Sequence, residues 1–314
     1  MLNSNTTIEE IGNAWIANTA HNWKESTKYR YIDKLRIYIL PEYGSRQIAD
    51  ISTEEVEQYL IRLQTEGLTD RKPIGTSSAC LVMTVFKQLA KYARKTGLDF
   101  RFQPECIIVR REKGSIDVLS EKEEVKLIEY LKANPNRINV AILICLFTGI
   151  RIGEICALNC DEIDLDECVL RVRKTMQRLP EKDGKQKTAL RIDTPKTVNS
   201  LRDIPYAVEL SDIIRPFYKP GTFFLTGERG KYVEPRTLEN RFAAILKKSG
   251  LRQVNFHATR HCYATRCIER GMDPKTLSEL LGHASVATTL DRYVHLSMKH
   301  KAESVKLIAD LLSA

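Results

Sequence analysis

The stretch from Thr76 to Thr96 most constrains what this chain can become. Val82, Val85, Phe86, Leu89, Tyr92 and Ala93 recur along it at spacings of three and four. That is the repeat of an α-helix with one buried stripe. A single helix cannot keep such a stripe from water, so other helices must cover it. The preceding residues supply them. Thr6 or Thr7 can cap a first helix, with Glu9 and Glu10 in its first turn, where acidic groups favour the helix dipole. A second helix is expected from Ser26 to Leu40, ending at Pro41, with Tyr29, Ile32, Leu35, Tyr38 and Ile39 at helical spacing. A third starts at Ser52 or Thr53 and ends before Gly67, and Gly97 closes the fourth. The first reading is an all-helical domain over residues 1–100.

The pattern then breaks. Pro104 and the basic run Arg110, Arg111 and Lys113 mark residues 101–116 as a linker. A second domain is expected over 117–314, in keeping with the usual partition of a 314-residue chain. It opens with helices over 121–158, the first capped by Ser120 with Glu121, Glu123 and Glu124 in its first turn. Strands are expected at Cys168–Thr175, Ala189–Asp193 and Leu201–Pro205, with a turn at Asp183-Gly184 inside a basic loop. Helices return from Pro235 to the end, and the last, Lys301 to Leu312, carries an apolar stripe. The predicted fold is mainly α with a small antiparallel β-sheet, an all-helical N-terminal domain joined to an α+β domain.

Charge narrows the function. The chain carries a net +9, with +3 in residues 1–115 and +6 in the rest. From Arg71 to Lys95 there are six basic residues and no acid. From Arg171 to Arg191 there are eight, against Glu181 and Asp183. Such clustering favours an anionic partner. Lys87, Lys91 and Arg94 lie off the buried stripe of their helix and are candidate DNA contacts, although a solvated helix face explains them equally well. The longest apolar run, Val140 to Phe147, is far too short to span a bilayer. None of the eight cysteines forms a CxxC pair, so free thiols and a cytoplasmic location are expected.

Five local signals bear on chemistry, and each alone has a plain explanation. Arg151 follows the Gly149 turn in Thr-Gly-Ile-Arg-Ile-Gly-Glu, where Glu154 could orient its guanidinium. Lys196 lies in Thr194-Pro195-Lys196-Thr197, ahead of Ser200 and Arg202, and solvated loop lysines are common. His257 and Arg260, in His-Ala-Thr-Arg-His, would share a helical face, or His257 would be a helix cap. His283 follows the short helix that Asp273 and Pro274 begin and Gly282 ends. Tyr293 is one of twelve tyrosines.

Together, and in this order, these residues resemble the tyrosine recombinase (phage integrase) family. Its pattern runs Arg, Lys, His-x-x-Arg, His or Trp, then Tyr, and Arg151, Lys196, His257, Arg260, His283 and Tyr293 fill it. The stretch Phe-His-Ala-Thr-Arg-His-Cys-Tyr-Ala-Thr and the helix from Thr76 to Gly97 extend the likeness to most of residues 5–300. The resemblance implies a core-binding domain, a catalytic domain and a site-specific recombinase or integrase of a mobile element. Its reaction would cleave and rejoin double-stranded DNA through a 3′-phosphotyrosine link.

The residue types suit that chemistry. Forked guanidiniums of Arg151 and Arg260 can bind phosphate oxygens as charge builds. Tyrosine is a weak nucleophile with an ordinary pKa near ~10, so a base such as His257 must assist. Lys196 would protonate the leaving 5′ oxygen, and His283 would bond the phosphate. No cofactor or metal is expected, since no P-loop, HExxH or zinc-ligand spacing occurs. The partners expected are duplex DNA, three further copies in a tetramer on synapsed sites linked by the C-terminal helix, and an accessory DNA-bending factor; no membrane partner is expected. Other readings are a Xer-like resolvase, a type IB topoisomerase, a metal-dependent relaxase and a non-catalytic DNA-binding accessory protein.

Overall fold

A computed structural model describes residues 5–68, 71–98, 101–109, 118–180, 188–194, 200–283 and 285–293, with only the backbone for 291–293. The chain divides into two compact units, the first built from 1–114 and the second from most of the remainder.

The first unit contains α1 (Ile8–Thr19), α2 (Glu25–Lys34), α3 (Leu40–Tyr43), α4 (Thr53–Thr65) and α5 (Thr76–Lys95). Thr7 and Glu10 form a reciprocal capping box at α1, and Ser52 accepts the Glu55 N–H at α4. Each cap satisfies N–H groups that a helix start leaves without a partner. Five of the six α5 stripe residues, Val82, Val85, Phe86, Leu89 and Ala93, are in the core, where Ile11, Trp15 and Ile39 join them, and Tyr92 is half-buried against it.

The second helix differs from expectation at Pro41. The chain passes through a π-helical turn, Leu35–Ile39, and continues as α3, with Pro41 in its first turn. The first turn asks for no intrahelical N–H, so proline is tolerated there. Leu35, Tyr38 and Ile39 in this turn all face the core. A second difference lies beyond α5. Phe102 and Ile107, in the segment expected to be a linker, are buried in the first unit's core, and the Phe102 ring meets Phe86 edge-on at 5.7 Å. The basic run 110–113 lies outside the described residues.

The second unit is built around α7. In chain order it has α6 (Glu121–Ala133), α7 (Arg137–Thr148), α8 (Ile152–Ala157), β1 (Ile163–Asp164), β2 (Val169–Val172), β3 (Thr175–Pro180), β4 (Thr188–Asp193) and β5 (Arg202–Pro205). Then come α9 (Val208–Ile214), α10 (Pro235–Lys248), α11 (Ala258–Glu269), α12 (Pro274–Leu281) and α13 (Val286–Tyr293). Residues 138–146 of α7 are buried on every side, which is why its sequence is apolar without a polar face. Ser120 and Glu123 form the capping box of α6.

The strand expected over Cys168–Thr175 is two strands in different sheets. Cys168 has φ 52°, a left-handed turn conformation, and β2 starts only after it. β2 ends at Val172 and β3 begins at Thr175. One sheet has the order β1-β2-β5, antiparallel, with Leu170 opposite Ile204; the other pairs β3 with β4. Helix α9 was not expected. It buries Leu210 and Ile214 one turn apart, but Pro216 follows so closely that the repeat is too short to read. The expected C-terminal helix, 301–312, and the turn at 183–184 lie outside the described residues.

Candidate active site

The site is assembled at the end of α12. Asp273 caps the start of this helix by accepting the Thr276 N–H at 2.8 Å, and Gly282 ends it with φ 64°. The left-handed turn lets the His283 N–H reach back to the Ser278 carbonyl at 3.0 Å. The last carbonyls of a helix have no partners inside it and carry its negative dipole end. Here three arginines from three other elements take them in succession. Arg202 Nε donates to the Leu280 carbonyl at 2.6 Å, Arg260 Nη2 to Leu281 at 2.7 Å, and Arg151 Nη2 to Gly282 at 3.1 Å.

Each arginine has a second anchor. Arg260, on α11, is 1% exposed and also donates to the Gly149 carbonyl at 2.8 Å. Gly149 caps α7 at φ 64°, packed so closely on Tyr263 that an added Cβ would meet its ring at 2.5 Å. Arg151 caps the start of α8, and its Nη1 donates to Glu154 Oε1 at 2.9 Å, as the sequence spacing suggested. Arg202 forks onto both oxygens of the same carboxylate, at 3.1 and 2.9 Å.

Glu154 is therefore the hub. Its side chain is 3% exposed, against 34% for Arg151 and 6% for Arg202. Burial pushes its pKa up, but the Arg202 hydrogen bonds and the charges of Arg202 and Arg151 outweigh that and hold it below the ordinary carboxyl value. The cluster of Arg151, Arg202, Arg260 and Glu154 is net positive at neutral pH. Arg151 alone of the three arginines keeps a third of its side chain exposed.

The other expected residues fall out as follows. His283 directly follows the arginine-capped helix end, and its Nδ1 is 2.8 Å from Thr289 Oγ1 on α13. Thr289 is fully buried, which fixes that contact. Tyr293 is the last residue of α13, one turn beyond Thr289; its side chain lies outside the described part of the structure. Lys196 lies in 195–199, also outside it. His257 caps α11 with a helical backbone, and its ring packs edge-on against His261 at 4.6 Å. The spacing of three buries only Arg260, while His257 stays exposed.

In the first unit, Lys87 and Lys91 are exposed. Arg94 donates to Glu105 at 2.8 Å and to the Phe102 carbonyl at 3.2 Å, so it ties down the 102–105 segment. Among the described residues no group of three or more His, Cys, Asp or Glu is placed to hold a metal, and no helix is long and apolar enough to cross a membrane.

Sequence reasoning passed over the roles of Arg202 and of the α12 carbonyls. Arg202 did leave a signal. In β5 it occupies the same alternating face as the buried Ile204, where an apolar residue belongs. The carbonyls left none, since any sequence provides them.

Comparison with known proteins agrees with this architecture. The model of the phage integrase family matches residues 117–300, and that of the phage integrase central domain matches 8–98. The chain belongs to the phage integrase family, the tyrosine recombinases, enzymes that break and rejoin DNA strands. A tyrosine recombinase XerC-like protein of Caldanaerobacter subterraneus subsp. tengcongensis is 26% identical over 97% of this chain and 83% of its own. A tyrosine recombinase of Thermosipho africanus is 27% identical over 90% of this chain and 93% of its own. Among solved structures, the Tn1549 transposon integrase in complex with transposon right end DNA superposes with TM-score 0.78 at 21% identity, covering 97% of this chain and 100% of that one. A lambda integrase tetramer bound to a Holliday junction gives 0.64 at 18% identity, over 93% of this chain and 80% of that one. The likeness to both structures is one of fold.

Proposed function

We propose that this recombinase serves a mobile element as its integrase, cutting and rejoining duplex DNA through a 3′-phosphotyrosine link at Tyr293. The observation that carries the reading is the meeting of Arg151, Arg260 and the chain entering His283 at one helix end. Two guanidiniums already fixed by backbone carbonyls need little reorganisation to bind the non-bridging oxygens of a phosphodiester. Their charge then stabilises the extra negative charge of the transition state. The Tyr293 oxygen attacks phosphorus, the bond to the 5′ oxygen breaks, and the tyrosine proton passes to His257. Lys196 supplies a proton to the departing 5′ oxygen, and His283 bonds the phosphate. Loss of either arginine should slow cleavage on the order of 10²-fold or more.

Tyr263 is the rival nucleophile by position, since it feels the charges of Arg202 and Arg260. Burial and the neighbouring Cys267 nonetheless push its phenol well above the ordinary range. A raised pKa makes the loss of its proton on attack harder.

Around this chemistry we place the helical first unit, which takes in Phe102 and Ile107 of the expected linker, as a core-binding domain and 117–314 as the catalytic domain. Both domains contact DNA in this reading, with Lys87, Lys91 and Arg94 on phosphates. The solved integrases in complex with DNA, and the lambda tetramer, support a DNA-bound tetramer here as well. The helix expected at 301–312 would link neighbouring copies, an accessory DNA-bending factor would assist, and the assembly would work in the cytoplasm. The Xer names among the relatives favour a second reading, a resolvase. Joining of separate DNA molecules supports the integrase, and exclusive resolution of one circular molecule supports the resolvase.

The test is a covalent protein–DNA adduct on a denaturing gel. The chain is incubated, with EDTA present, with nicked duplexes carrying the ends of the DNA element in which its coding sequence lies. An adduct with wild type and none with Tyr293→Phe is the expected result. An adduct that survives Tyr293→Phe would overturn the assignment.

A further inference from the structure

Arg202 has no place in the six-residue pattern, yet it is the most deeply engaged ion-pair partner near the site. Its side chain is 6% exposed and points inward from β5 with Ile204. It gives both prongs to Glu154, its Nε to Leu280 and another bond to the Ser200 carbonyl. A buried ion pair seldom adds net stability over well-packed apolar residues, so stability alone is a weak reason for this arginine.

We propose that Arg202 is a positioning residue for strand cleavage: it occupies the Glu154 carboxylate and the Leu280 carbonyl, so that Arg151 is aimed outward and keeps its charge for DNA phosphate. The inference rests on the reading of Arg151 and Arg260 as phosphate donors. Glu154 binds Arg151 through one Nη and one backbone N–H only, because its two oxygens are already shared with Arg202. Take Arg202 away and a carboxylate buried to 97% faces a single cation. Two-pronged pairing is the strong geometry for arginine and carboxylate, so Arg151 would turn inward to supply it. The cluster would also lose one of its two excess positive charges.

Ionisation gives a signature that a scaffold role would not. The charged or titratable groups facing Glu154 are Arg151 on its own helix, Arg202 on β5 and Cys145 on α7. Without Arg202, the hydrogen bonds and charge that do most to offset burial are gone, so the Glu154 pKa should rise. Removal of the carboxylate charge should then relieve the defect.

The experiment measures single-turnover adduct formation on the nicked duplexes, with duplex affinity measured alongside, for wild type, Arg202→Met, Glu154→Gln, the double variant and Arg151→Ala. Rates are taken from about pH 5.5 to about pH 8.5, where a displaced carboxyl would titrate. Arg202→Met should slow adduct formation ~10²-fold while affinity stays within about threefold. Its rate profile should gain an ionisation that wild type lacks. The double variant should lose that ionisation and run about tenfold faster than Arg202→Met. Arg202→Lys, which keeps the charge but not the fork, carries the test if the methionine variant does not fold; it should be about tenfold slow at unchanged affinity. Additive losses in the double variant, an unchanged rate profile, or a wild-type rate in Arg202→Met would each overturn the proposal. Arg151→Ala separates the two layers. If it forms adduct at the wild-type rate, the phosphate reading fails and this inference with it. If it is inactive while Arg202→Met is not, only the positioning role fails.

Discussion

Replacing Gly149 by alanine tests how tightly the site is built. Gly149 has φ 64°, and an added Cβ would lie 2.5 Å from Tyr263 Cδ1 and 2.8 Å from Leu281 Cδ2. The left-handed backbone costs a non-glycine residue about 1–2 kcal/mol. Forcing a methyl into a filled core costs about 1–3 kcal/mol more. The expected total, about 2–5 kcal/mol, is a large share of a domain's usual stability. Gly271 is the matched control: its φ is 84°, but nothing lies within 4 Å of a built Cβ. Gly271→Ala should therefore show only the backbone share, about 1–2 kcal/mol. Both residues are in the second unit, so urea unfolding followed by circular dichroism compares the same transition, and the gap between the variants reads the packing contribution alone. The Gly149 carbonyl also holds Arg260, so adduct formation by Gly149→Ala should fall even where the protein remains folded. Equal destabilisation by the two substitutions would refute the reasoning, because it would mean that Tyr263 and Leu281 yield freely.

Glu154→Gln gives a pH test. The folded-state pKa of Glu154 is depressed below its ordinary 4.5, so its contribution to stability is present above that value and is lost as pH falls through the folded value. The advantage of wild type over Glu154→Gln in urea should be seen at neutral pH and shrink below about pH 4.5; an advantage that grows with acid would contradict the depressed pKa. Ser120→Ala removes the α6 capping box and should cost about 1 kcal/mol in the same assay. Lys87→Ala with Lys91→Ala should flatten the plot of log affinity against log salt by about 0.9 per lost phosphate contact. Arg94→Ala should speed proteolysis near 102–105, which its ion pair holds.

Much of the architecture could be read from local rules. The caps at Thr7, Ser52, Ser120 and Asp273 fall where side-chain chemistry places them, and five of the six α5 stripe residues are buried as spaced. What escaped depends on tertiary context. Pro41 reads as a stop, and only the π turn before it lets the chain carry on. Phe102 and Ile107 sit in a segment without periodicity, and their burial depends on Phe86 being there to meet them. At the site, the Arg151–Glu154 bond followed from a spacing of three. The spacing of His257 and Arg260 left two readings open, and the structure has the cap: α11 begins at Ala258, with His257 an exposed cap in helical backbone conformation. Arg202 bridges to Glu154 across 48 positions, a relation that no local pattern encodes.

The grip of three arginines on main-chain oxygens bears on how this enzyme can vary. Leu280, Leu281 and Gly282 offer the guanidiniums nothing that depends on their side chains, so the spelling of that helix end can drift as far as packing and the left-handed Gly282 allow. Its length cannot. Removing one residue between Asp273 and Gly282 would rotate the terminal carbonyls by about 100° around the helix axis and present each arginine with the wrong oxygen. In a library of natural or engineered variants, α12 should therefore accept many substitutions and almost no insertions or deletions.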